Sequence, residues 1–142
     1  MADDNAFVPP DGFIADAKRG PFTQHNGPIY RKHSGDVIEV GLHVLDRHCN
    51  GLGFLHGGMI SAFADGALAW CVWTNTRQSS VTMRLAMDFL EVIKLGDWLV
   101  ARPTHIATQG EVVHVEADLI RNETSIAAHA NAVFHLIRRK SK

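Results

Sequence analysis

Asp65 is the one charged residue between His56 and Trp73, in a stretch where only Ser61, Asp65 and Gly66 interrupt the apolar residues after Met59. A lone carboxylate in such surroundings is costly unless it is paired, hydrogen-bonded or turned toward a cleft. Ahead of it stands His56-Gly57-Gly58. Two glycines at the start of a helix leave its first N–H groups uncovered by side chains. A bare helix N-terminus favours a negative charge or a polarised carbonyl. A proton acceptor and an electropositive backbone end, eight residues apart on one helix, are the parts of a site.

Other residue types offer less. The chain has nine histidines, but His43, His48 and His56 show no HxxxH or HExxH spacing, and no cysteine pair joins them, so no metal is expected. Cys49 and Cys71 form no CxxC pattern and are too few for a disulfide framework, which fits a reducing compartment. Formal charges almost cancel, at −1 over 142 residues, leaving no broad field for nucleic acid or an anionic membrane. No signal peptide is recognisable at the N-terminus, and the apolar stretch is too short and too charged to span a bilayer. A cytoplasmic protein is expected.

The elements that position these residues follow from periodicity. Residues 1–28 carry turn signals at Pro9-Pro10, Asp11-Gly12, Gly20-Pro21 and Gly27-Pro28, and Phe13, Ile14 and Ala17 have helical spacing that predicts a short helix near 11–19. These residues read as an N-terminal extension, with a domain over 29–138 and a basic tail at 139–142. Tyr30 opens a strand that turns at Ser34-Gly35-Asp36. Ile38, Val40, Leu42 and Val44 then alternate with polar neighbours, as in a half-buried strand. A polar loop from Asp46 to Gly53 leads into a helix over about 57–74, apolar nearly all round and therefore expected to be enclosed by protein. Beyond it everything reads as strand. Val81, Met83, Leu85, Met87 and Phe89 alternate on one face, and Trp98 to Ala107 follows, with Pro103 predicting a bulge or an edge position. Val113, Val115, Ala117 and Leu119 form the next apolar face; Ile126, Ala128, Ala130, Ala132, Phe134 and Leu136 form the last. The fold class is α+β: a curved antiparallel sheet wrapped round a central helix.

With that order of elements, His48-Cys49-Asn50, Gly53, His56-Gly57-Gly58 and Asp65 resemble the hotdog-fold acyl-CoA thioesterases. The nearest branch is the one named for phenylacetyl-CoA thioesterase, with its pattern H-x-N-x-x-G-x-x-H-G-G followed by an Asp. The resemblance covers about residues 30–137. It implies hydrolysis of an acyl-CoA thioester to a carboxylic acid and free CoA, without a cofactor. By the same resemblance, the Gly57 N–H holds the developing oxyanion, and Asp65 activates water as general base or attacks as a nucleophile. Asn50 and His56 position thioester and water, and Thr82 stands beside the acid. Gly58 and His48 are implied at the substrate. Each has a plainer reading as well. Asn50 beside Gly51 is an ordinary turn former, His56 can hydrogen-bond its own loop, Thr82 is a common strand residue, and Phe63, Trp70 and Trp73 can be core or subunit contacts. Arg84, Arg102 and Arg121 can reach CoA phosphates but are not assigned.

Helix geometry adds an independent constraint. Eight residues separate Gly57 from Asp65 by about 12 Å along the axis and about 80° round it. Catalytic contacts need about 3 Å, so one carbonyl cannot meet both groups of one helix. The site is expected to take Gly57 from one subunit and Asp65 from another across a two-fold axis, in a homodimer or a dimer of dimers. Two alternatives stand beside hydrolysis: a hotdog-fold acyl-CoA dehydratase or hydratase, and a non-catalytic acyl-CoA-binding module. Acyl specificity, and coenzyme A against an acyl carrier protein, are not legible in the sequence.

Overall fold

A computed structural model describes residues 7–17 and 19–138. The expected basic tail at 139–142 lies outside the described residues, as do residues 1–6 and Lys18. The chain runs β1 (Ile14–Ala15), α1 (Pro21–Asn26), β2 (Ile29–Ser34), β3 (Val37–His43), a 3-10 turn (Asp46–His48), α2 (Gly57–Thr76), β4 (Ser80–Phe89), β5 (Trp98–Gln109), β6 (Val112–Arg121) and β7 (Ser125–Leu136). The seven strands form one antiparallel sheet in the order β1-β2-β3-β5-β6-β7-β4. β5, β6 and β7 make the expected meander. β4 instead crosses to pair with β7 and becomes an edge.

The core lies between α2 and the inner face of the sheet. Ile60, Phe63, Ala64, Ala67, Leu68, Cys71 and Val72 of α2 are buried against Ile38, Val40 and Leu42, against Val113, Val115, Ala117 and Leu119, and against Ala128, Ala130, Ala132 and Phe134. The alanines of β7 admit the helix closely, and each large side chain buried there contributes about 1.5–3 kcal/mol. A second cluster covers the outer face, where Trp98, Tyr30 and Val100 meet Phe7 and Phe13. Gly41 is needed for it, since a Cβ there would lie 2.3 Å from the Trp98 ring.

Four expectations are corrected. The apolar spacing near 11–19 makes no helix among the described residues: Ile14 and Ala15 pair with Arg31 and Tyr30, and the helix begins at Pro21, whose fixed φ suits a first helical position. α2 is not enclosed within the chain. Its flank bearing Met59, Ala62, Gly66, Ala69 and Trp70 is half-buried, and Trp73 is exposed. In β7, Ala127 is skipped between the Leu119–Ala128 and Ile120–Ile126 pairs, so Ile126 turns outward, 47% exposed, while Ala127 and Ala128 are both buried. In β4, the pairing skips Met83 between Thr82 and Arg84. Only Leu85 and Met87 of that strand's expected apolar face pack on the core; Met83 is 66% and Phe89 55% exposed. The bulge expected at Pro103 is present, with the register shifting between Pro103 and His105.

Candidate active site

The loop before α2 is held by its own polar groups. The Asn50 side-chain Oδ1 accepts the N–H groups of Leu52 at 2.9 Å and Phe54 at 3.2 Å, and the Asn50 carbonyl accepts Gly53 N–H at 3.1 Å. Gly53 takes a left-handed φ of 79° that a side chain would oppose. This is the turn-forming role of Asn, and it leaves Asn50 only its amide NH2 to offer a ligand. No hydrogen bond joins Asn50 to Asp65 among the described residues.

His48 departs further from expectation. It is 2% exposed; Nδ1 accepts Leu45 N–H at 3.0 Å, and Nε2 donates to the Asn26 carbonyl at 2.6 Å. Both ring nitrogens therefore hydrogen-bond the protein's own backbone. Its neighbour Arg47 donates to the Gly27 carbonyl, so the loop clamps the end of α1. The His48 carbonyl accepts His56 N–H at 2.9 Å, which carries the same order to the helix start.

His56 caps α2. Its Nδ1 accepts Gly58 N–H at 2.8 Å and its carbonyl accepts Ile60 N–H at 3.0 Å. Of the two glycine donors, Gly58 is thus taken up by the cap. Gly57 N–H has no acceptor among the described residues, and both glycines are exposed. The helix therefore presents one free, electropositive N–H at its very start. Phe89, at the far end of β4, is the nearest neighbour a Gly57 side chain would meet, at 4.0 Å.

Asp65 lies two turns on and is half-buried. Its Oδ1 accepts the Thr82 hydroxyl at 2.6 Å, a short, charge-assisted bond of the strong kind. The Met83 bulge explains how Thr82 arrives there. A regular strand would turn residue 82 to the face opposite Leu85, whereas the skipped residue puts Thr82 opposite Phe134 and on the helix side. Round the same helix a shallow, mainly apolar cleft lies between α2 and α1, lined by Met59, Ala62, Phe63, Gly66, Phe22 and Ile29, with Arg19 also on its wall. Neither cysteine has the character of a nucleophile. Burial pushes the Cys71 thiol up to about 11, and burial followed by the Asp46 charge raises that of Cys49. Among the described residues no cluster of His, Cys, Asp and Glu could hold a metal ion.

The chain resembles known proteins in both sequence and fold. Residues 52–128 match the family model of the thioesterase superfamily. A relative from Pseudomonas aeruginosa named "Putative esterase PA0474" is 30% identical over 130 residues, covering 89% of this chain and 96% of its own. The chain belongs to the thioesterase superfamily. Its architecture is the hotdog fold. A variant of the phenylacetic acid degradation protein PaaI from Thermus thermophilus superposes with a TM-score of 0.73 at 21% identity, over 83% of this chain and all of the other. A hypothetical thioesterase from Streptococcus pneumoniae, solved with coenzyme A, superposes with a TM-score of 0.71 at 19% identity, over 80% of this chain and 91% of its own. In this thioesterase Asp65 and Thr82 are in contact, and His56, Gly57 and Gly58 form the helix start. Asn50 and His48 are committed to the loop. The clamp from Arg47 and His48 to α1 carried no signal in the sequence, because its acceptors are backbone carbonyls.

Proposed function

We propose that the protein hydrolyses acyl-CoA thioesters to a carboxylic acid and free CoA, in a site shared by two subunits. The observation that carries the reading is the Thr82–Asp65 hydrogen bond on a helix whose first N–H is free. With Oδ1 occupied by Thr82, Oδ2 of Asp65 is the oxygen left to take a proton from water. The water oxygen then forms the new bond to the thioester carbon, the carbonyl oxygen gathers negative charge against Gly57 N–H, and collapse breaks the C–S bond as the thiolate takes up a proton. General-base assistance contributes typically about 10²–10⁴ in rate, and an oxyanion donor about 10²–10³. His56 serves this step through its cap, which removes Gly58 as a competing donor and aims Gly57. Asn50, with its NH2 still open, is the second group that can reach the thioester.

The two groups of one helix are too far apart to share a carbonyl, so Gly57 of one subunit faces Asp65 of the other. Support comes from what the single chain leaves uncovered: the outer edge of β4, with Val81, Met83 and Phe89 exposed, and the half-open flank of α2. A homodimer covers such an edge; pairing of dimers would cover the helix flank. No described helix is long and apolar enough to cross a membrane, and we place the enzyme in the cytoplasm.

The test is thiol release over a panel of acyl-CoAs, from acetyl to palmitoyl with phenylacetyl and benzoyl, by the wild type and Asp65→Asn. The substitution keeps the shape of the side chain and removes its basicity. Turnover that falls by about 10²–10⁴ in Asp65→Asn is expected; full activity in that variant would contradict the reading. Conversion of a 3-hydroxyacyl-CoA to its enoyl form would favour the dehydratase alternative instead.

A further inference from the structure

Arg84, Arg102 and Arg121, the arginines that strand positions offer for a phosphate, are all engaged. Arg84 donates to Asn131, Arg102 pairs with Glu39, and Arg121 serves Glu91 and the Val92 carbonyl through its two Nη atoms, although its Nε, too, is buried with no acceptor among the described residues. Two other arginines are less well provided for. Arg19 and Arg31 hold their guanidinium carbons 4.8 Å and 5.5 Å from the centroid of the Trp70 ring. Asp16 is the carboxylate beside them: its Oδ2 lies 3.8 Å from Arg19 Nη1 and accepts Trp70 Nε1–H at 3.2 Å.

Two cations and a single carboxylate, paired with Arg19, line one partly buried cleft. Arg31 Nη1 meets the ring of His33 at 3.2 Å, and Arg31 Nε is buried with no acceptor among the described residues. Burial first of all, and the Arg31 charge beside it, draw the Arg19 guanidinium below its ordinary value against the pull of Asp16. A guanidinium desolvated without acceptors is costly. An anion of tetrahedral oxygens, which two planar donor forks grip well, removes that cost. The cleft they line is completed by Trp73, Ser79 and Ser80; it offers hydroxyl donors and an exposed indole face.

We infer that this cleft between the N-terminal segment, α2 and the start of β4 is a phosphate site that holds the phosphate-bearing end of coenzyme A. The inference rests on the proposed reading of the active site and extends it. Trp70 lies five residues beyond Asp65 on α2, about 7.5 Å further along the axis. Arg19 lines both this cleft and the apolar one between α2 and α1, so the two adjoin.

The test is calorimetric titration of the full chain with coenzyme A, with its phosphate-free fragment pantetheine, and with inorganic phosphate, using the wild type, Arg31→Gln and Arg19→Gln. Loss of either arginine is expected to weaken coenzyme A binding by about ten- to a hundredfold, with pantetheine affinity unchanged and inorganic phosphate binding far more weakly than coenzyme A. Equal losses for coenzyme A and pantetheine would make the arginines structural and overturn the site, as would no loss for either. Inorganic phosphate binding as tightly as coenzyme A would overturn its assignment to the cofactor-like thiol. Thermal melts check that each variant is folded. Arginine-dependent binding without thiol release would remove the hydrolase reading and leave this site standing. Turnover with coenzyme A affinity indifferent to both arginines would remove this site alone.

Discussion

The Thr82 hydroxyl spends its proton on Asp65, and that fixes which carboxylate oxygen remains for water. Thr82→Val keeps the shape of the side chain and removes the bond. We expect kcat to fall by about ten- to a hundredfold, the scale of a hydrogen bond to a charged group, with KM little changed and Thr82→Ser restoring the rate. Steady-state kinetics on any accepted acyl-CoA check this; a Val variant with wild-type kcat would exclude the role. His48 makes the contrasting case. Its buried ring ties the loop to α1, so His48→Ala should destabilise the fold by roughly 2–5 kcal/mol through stranded donors, an unmet carbonyl and a cavity. Urea unfolding would show it as a lower midpoint at unchanged slope. Asp65 and the paired glycines were legible in the sequence because their types are out of place: a charge in an apolar helix, and flexible residues at its start. Asn50 and His48 were not separable by type, since an amide or an imidazole looks the same whether it faces a ligand or its own backbone.

At the scale of elements, alternation carried the reading as far as each strand stayed regular. β3 and β6 match their apolar patterns residue for residue, with Ile38, Val40 and Leu42 and then Val113, Val115, Ala117 and Leu119 buried. The failures sit at bulges, because one unpaired residue reverses the face of everything on one side of it. Pro103 announced its bulge by lacking an N–H. Met83 and Ala127 gave no such sign, as any residue type can occupy a bulge. The Met83 bulge bears on the proposed site, for it turns Thr82 toward Asp65. Deleting Met83 removes the unpaired residue and leaves Thr82 opposite Phe134, on the helix side as before. The predicted result is a kcat close to wild type, in a protein that still unfolds cooperatively. A deletion variant that loses kcat as Thr82→Val does would contradict this register. The missed β1 and α1 have a similar cause: two strand residues and a six-residue helix are too short for periodicity, and what holds them is tertiary.

At the scale of the molecule, one chain leaves its β4 edge and a flank of α2 uncovered, and the two groups proposed to act, Gly57 and Asp65, sit on one helix too far apart to meet one carbonyl. Both observations point to the same assembly. The measurement that tests this most directly mixes two inactive chains. Gly57→Pro deletes the N–H at a first helical position, where proline is tolerated and where the extended backbone of His56, at φ −64° and ψ 134°, already suits a following proline. Asp65→Asn deletes the base. Each variant alone should release thiol at a small fraction of the wild-type rate. After joint unfolding and refolding, mixed dimers would carry one intact site, Gly57 from one chain and Asp65 from its partner, and the mixture should recover about a quarter of wild-type activity if the chains pair at random. A mixture no more active than the separate variants would contradict a site shared between subunits.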